Sequence, residues 1–116
     1  MGERTMEVKA RKVEKAVVID VKGEVDLFSS PKMRAVILEA LNNEQVSRVA
    51  VNFGEVRYID SSGVATLVEG LQLARAKNRK FVLFGLQQRT REVLELARLD
   101  KVFDIRAGEV EALANP

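Results

Sequence analysis

Asp60, Ser61, Ser62 and Gly63 stand in a row within the stretch YIDSSGVATLVEG (58–70), between an apolar strand-like run and an apolar helical stripe. A carboxylate and two hydroxyls at a strand-to-helix junction have three chemical uses. Asp60 or Ser61 can cap the helix, whose first turn leaves backbone N–H groups unpaired, a contribution of about 1 kcal/mol. A serine can act as a nucleophile. A serine can also receive a group from another protein, because the N–H groups and dipole of a helix N-terminus offset part of a phosphoryl charge.

The nucleophile needs a base. The chain contains no histidine and no cysteine, which removes Ser-His and Cys-His pairs, thiolate metal sites and the commonest metal ligand. The lysines nearest in sequence, Lys77 and Lys80, fall at the far end of the same helix. No G-x-S-x-G, G-x-x-x-x-G-K-S/T or G-x-G-x-x-G pattern occurs. No catalytic residue is therefore assigned, and the chain does not read as an enzyme.

The acceptor reading has a physical consequence. A phosphoryl group on Ser61 carries about −1.5 to −2 charges and sits beside Asp60. A partner docked over the loop would meet that dianion, and two like charges about 5 Å apart at an effective dielectric near 20 cost roughly 3 kcal/mol. That is more than about a hundredfold in affinity, enough for a switch.

The elements that must position these groups are visible in the hydrophobic pattern. Residues 8–12 alternate weakly as a short edge strand, and 16–21 (AVVIDV) form a β-branched run broken by Gly23. Ser30 reads as an N-cap with Pro31 at the first helical position, followed by a stripe of Met33, Val36, Ile37, Ala40 and Leu41 that ends at Asn42-Asn43. Residues 48–53 (RVAVNF) are a third strand closed by Gly54, and 61–77 carry a second stripe of Val64, Leu67, Val68, Leu71 and Ala74. A strand over 80–84, a helix over 88–96 with Val93, Leu94 and Ala97 inward, a short strand over 102–105 and a small helix over 110–113 complete the chain. The order β-β-α-β-α-β-α-β-α predicts an α/β fold. A hairpin pairs the first two strands, and the helical crossovers make the later strands parallel, in a small mixed sheet of four to five strands with three to four helices packed on it. Sites in such sheets gather at the carboxyl ends of strands, where 58–63 lies.

At 116 residues the chain is expected to form one domain over 1–116, with 47% hydrophobic and 31% charged residues, a globular balance. The head of the chain, MGERTMEVKARKVEK, is charged and lacks an apolar core, so no signal peptide is read, and no apolar run approaches a membrane span. The expected location is the cytoplasm, which the absence of cysteine suits. With 19 basic and 17 acidic residues, no polyanion partner is implied. The one basic run, RAKNRK (75–80), invites a nucleic-acid reading, but it also fits the last turn of a helix, where cations complement the dipole, and no aromatic residues interleave it.

Three stretches carry a family resemblance. GEVDLFSSPKMRAVI (23–37), VNFGEVRYIDSSGVATLVEG (51–70) and GLQQRTREVLELARLDKVFDI (85–105) resemble, in register over about residues 6–113, the STAS domain of bacterial anti-sigma factor antagonists. The D-S-S/T-G segment at 60–63 is specific in that setting, whereas the four letters alone are weak. The resemblance implies partner switching: the unmodified antagonist binds an anti-sigma factor with serine kinase activity, which phosphorylates Ser61, and a serine phosphatase reverses the step. ATP and magnesium would belong to the kinase, and this chain would need no cofactor. The family's second sensitive carboxylate falls on Asp26. Asp26 and Asp60 would line the partner-facing surface, with Ser62 and Gly63 shaping the loop. Leu27 and Phe28 are more apolar than the polar pair often found after that aspartate; either one tucks into the core, or they contact the partner. The family also includes stressosome scaffolds and accessory subunits of lipid transporters, which implies docking without phosphorylation as the alternative. Ligand binding at the strand ends is a third, with no pocket marked in the sequence.

Overall fold

The computed structural model describes residues 6–114, so the outermost parts of the expected 1–116 domain, including the first five positions of the charged N-terminal stretch, lie outside the described residues. Along the chain run β1 (Met6–Val13), β2 (Ala16–Val25), α1 (Ser30–Asn42), β3 (Arg48–Ile59), α2 (Ser61–Ala76), β4 (Lys80–Phe84), α3 (Gln88–Leu96), β5 (Asp104–Arg106) and α4 (Glu109–Leu113). The five strands form one sheet in the spatial order β1-β2-β3-β4-β5. Only two residues, Glu14 and Lys15, separate β1 from β2, so these strands pair antiparallel. The helical crossovers α1, α2 and α3 return the chain to the same end of the sheet, and β2 through β5 are parallel.

The main core lies between one face of the sheet and helices α1 to α3. Val17, Ile19 and Val21 of β2 and Val49, Val51 and Phe53 of β3 alternate toward that face, as the two-residue period of a strand requires. Met33, Ile37 and Leu41 of α1, Val64, Leu67, Leu71 and Ala74 of α2, and Leu94 of α3 meet them. The intervening residues Val18, Ala50, Val82 and Phe84 point to the opposite face and are covered by Ala112 of α4. Arginines fasten that short helix. Arg48 Nη1 donates to the Ala112 carbonyl (2.9 Å) and Arg106 Nη1 to the Glu111 carbonyl (3.3 Å). Arg11 bridges Asp20 (2.7 Å) and Glu109 (3.0 Å). Asp20 also accepts from Asn52 Nδ2 at 2.9 Å.

The structure corrects several boundaries. Gly23 does not end β2, which runs to Val25: a positive φ of 101° at Gly23 and two register shifts let the strand bend and stay paired. Gly54 does not close β3 either. The strand continues to Ile59, because Val56 and Ile59 are buried and the Tyr58 and Ile59 backbone lies beside Glu24 and Val25. Helix α1 is flanked by Ser29 rather than capped by Ser30, which is buried within its first turn. The last strand is Asp104–Arg106, since residues 99–103 turn through amide bonds from Val102 and Phe103 to the Leu99 carbonyl. Of Val93, Leu94 and Ala97, only Leu94 is fully buried, and Ala97 is exposed at the α3 C-cap. The basic run at 75–80 divides among the last turn of α2, its C-cap Lys77, a left-handed Asn78 and the start of β4. Arg79 Nε donates to the Leu41 carbonyl at 3.4 Å. Among the described residues no helix is long and apolar enough to cross a membrane.

Candidate functional site

β2 and β3 end side by side, and the loops that leave them are joined. The amide of Asp60 donates to the Val25 carbonyl at 3.1 Å, so the start of α2 is tied to the residue before Asp26. Gly63 tightens the junction. A Cβ there would lie 2.6 Å from Ile59 Cγ1 and 2.8 Å from Val25 Cγ1, closer than side chains approach. The first turn of α2 therefore rests directly on the last residues of both strands, and only glycine fits.

Asp60 is the N-cap of α2. Its backbone is extended, and its Oδ1 accepts from the amides of Ser62 (2.9 Å) and Gly63 (3.2 Å). Two of the helix's unpaired donors are satisfied in this way. Ser61 is exposed on the first turn and Ser62 is half-buried. The cap and an accessible hydroxyl thus coexist: Asp60 takes the capping role and leaves the Ser61 side chain at the surface.

Asp26 behaves differently. It is 7% exposed, and its Oδ1 accepts from the amides of Phe28 and Ser29, both at 3.0 Å. The Ser29 hydroxyl accepts from the Asp26 amide (2.9 Å) and lies 2.9 Å from the Glu24 carbonyl, to which it donates, with Asp26 Oδ1 at 3.2 Å. The Ser30 amide donates to the Asp26 carbonyl at 2.8 Å. Ser29 is thereby committed to the loop behind it, which is why it makes no side-chain cap for α1. Neither apolar residue of this loop tucks into the core: Leu27 is 66% exposed and Phe28 is 90% exposed.

The structure therefore brings Asp26, Leu27, Phe28, Asp60, Ser61, Ser62 and Gly63 to one end of the sheet, with Ser61, Leu27 and Phe28 outermost and Asp26 beneath. The sequence signal for Ser29 is slight: it stands three residues after Asp26, the spacing of a side-chain-to-backbone turn. Concavities of 460 and 330 Å³ beside β1 to β3 take no lining residue from either loop, and Glu7, Lys22 and Glu55 line both. Among the described residues no group of histidine, cysteine, aspartate or glutamate side chains is arranged to hold a metal ion.

Residues 7–112 match the STAS domain family. The chain belongs to that family. Over 114 residues, 96% of each chain, this STAS domain is 31% identical to the anti-sigma-B factor antagonist of Listeria monocytogenes. It superposes on a crystal structure of an anti-sigma factor antagonist from Mycobacterium paratuberculosis with a TM-score of 0.87, covering 97% of this chain and 94% of the other at 20% identity. It is also similar to the Bacillus cell fate determinant SpoIIAA in its phosphorylated form (TM-score 0.72, 25% identity, 92% and 96% covered). The element order and five-stranded mixed sheet are those of STAS structures.

Proposed function

We propose that this STAS domain is an anti-sigma factor antagonist switched by phosphorylation at Ser61. Unmodified, it binds an anti-sigma factor and so frees the sigma factor. That anti-sigma factor acts as the serine kinase, using its own ATP and magnesium, and phosphorylation of Ser61 ends the complex until a serine phosphatase restores the hydroxyl. One domain spans the chain, works in the cytoplasm and performs no catalysis itself.

The observation that carries this reading is the placement of Ser61. Its hydroxyl is exposed beside a cap that Asp60 already supplies, so the serine is not needed to close the helix. Relatives support the same reading: one that is 31% identical is named an anti-sigma-B factor antagonist, and SpoIIAA has been solved in a phosphorylated form. A phosphoryl group at Ser61 would keep the favourable helix N-terminus and add its charge next to Asp60. A partner packed over the loop would then face about 3 kcal/mol of added repulsion, more than about a hundredfold in affinity.

Capture of the host's anti-sigma factor by two variants tests the switch. Ser61→Ala should bind it constitutively and Ser61→Asp should bind weakly or not at all. Equal capture by both would remove phosphorylation from the account and leave a loop that docks on a scaffold or a transporter ATPase unmodified.

A further inference from the structure

We infer that Asp26 is a positioning residue, not a contact residue, and that it holds Phe28 as the apolar anchor of the partner surface. The inference rests on the proposed antagonist function and deepens it, by separating the group that gives affinity from the group that switches it.

The Phe28 ring adds nothing to the buried core. It is the most exposed of the large hydrophobic residues among those described, at 90%, and its neighbour Leu27 is 66% exposed. Leu96 and Val110 are nearly as exposed, so exposure alone does not mark Phe28; what sets it apart is the bracing of its backbone beside the Ser61 loop. Asp26 Oδ1 grips the Phe28 and Ser29 amides, Ser29 Oγ grips the Asp26 amide, and the Ser30 amide returns to the Asp26 carbonyl. The buried carboxylate thus fixes the backbone on both sides of Phe28 while the ring stays outside. Such preorganisation lowers the entropy cost of docking, and aromatic side chains held this way are the residues that dominate interfaces.

The surface is continuous with the switch. Asp60 N–H to Val25 O ties the Ser61 loop to the residue preceding Asp26, so a body seated on Phe28 is adjacent to Ser61. The occupant is the anti-sigma factor, and the chemistry it must offer here is an apolar socket for one phenyl ring and the Leu27 side chain. It need offer no cation for Asp26, whose carboxylate lies beneath the surface.

The test uses the intact protein with two readouts. The first is hydrogen exchange of the Phe28 and Ser29 amides in the free protein: slow in the wild type, slow in Asp26→Asn, which keeps the Oδ1 acceptor, and fast in Asp26→Ala. The second is affinity for the anti-sigma factor. Phe28→Ala should lose about 30-fold or more. Asp26→Ala should lose about tenfold and Asp26→Asn less than about threefold, while in a Phe28→Ala background Asp26→Ala should add under about twofold. If Asp26→Asn loses as much as Asp26→Ala, or the Asp26 and Phe28 losses simply add, the carboxylate touches the partner and the inference is overturned. Normal binding by Phe28→Ala, with Ser61→Asp still blocked, overturns the anchor and leaves the antagonist function standing. Equal binding by Ser61→Asp and Ser61→Ala overturns the switch itself.

Discussion

The loops leaving β2 and β3 use one device to opposite effect. In each, an aspartate carboxylate oxygen accepts two backbone amides within three residues of itself. After β3 the cap is immediate: Asp60 bonds Ser62 and Gly63, and the residue left outside is a serine. After β2 the chain makes an extra turn before α1, Asp26 is drawn under it, and the residues left outside are Leu27 and Phe28. One loop presents a hydroxyl that can change charge, and the other presents apolar area that cannot. Under the proposed function, the two loops side by side would place affinity and its control in different residues.

Three stability experiments sharpen that contrast, beginning with the largest effect. Gly63→Val should destabilise the domain by about 3 kcal/mol, because the added branch overlaps β-branched Val25 and Ile59 at the root of both loops. Urea denaturation measures this, and a loss under about 1 kcal/mol would mean that α2 does not seat there as described. Next, Asp26→Ala should cost about 2 kcal/mol, since it removes the buried acceptor that holds the turn. Asp60→Ala should cost only about 1 kcal/mol, a cap whose amides water can reach in part. Equal costs would break the distinction between a buried brace and a half-exposed cap.

The smallest effect lies on the far face of the sheet and serves as a control. The Arg11 guanidinium, bonded to both, holds the carboxyls of Asp20 and Glu109 below their ordinary range; burial opposes this at each site and Asn52 assists at Asp20. A lowered carboxylate pKa adds stability that is complete above the ordinary carboxylate pKa of about 4 and is lost as pH falls through the lower folded values. These groups are well exposed to solvent, so the effect is modest and salt weakens it. Thermal unfolding of the wild type should therefore drop more between about pH 5 and pH 3 than that of Arg11→Met. The hydrogen exchange of Phe28 and Ser29 should not differ between the two proteins. A matching pH response in both would show that the Arg11 network contributes nothing to α4 docking.

Much of this arrangement is legible in the sequence, for reasons that differ by element. The stripes Met33-Ile37-Leu41 and Val64-Leu67-Leu71 declare the helices because a 3.6-residue period has no other use in a globular chain. The D-S-S-G segment declares the start of α2 because its aspartate caps the helix and its glycine packs close against the ends of both strands. The length of β3 was not legible. Gly54 looks like a terminator, and only the register with the bent end of β2 shows why the strand goes on. Ser29 and Ser30 are equivalent as letters; what separates them is that Ser29 faces Glu24 and Asp26 while Ser30 is buried in the helix. The two aspartates likewise share one letter, and their unequal burial follows from the extra turn before α1. The contact of Arg48 with the Ala112 carbonyl joins residues too far apart for any local pattern to announce.

The measurement that bears most directly on the account is phosphorylation itself. Purified protein would be incubated with Mg-ATP in an extract of its host, the modified residue mapped by mass spectrometry, and the proteins held by modified and unmodified fractions compared. The expected result is phosphate on Ser61 and an anti-sigma factor with an ATP-binding kinase fold held by the unmodified fraction alone. An unmodified Ser61, with a scaffold or transporter subunit stably bound, would contradict it and make residues 58–63 a docking loop without a switch.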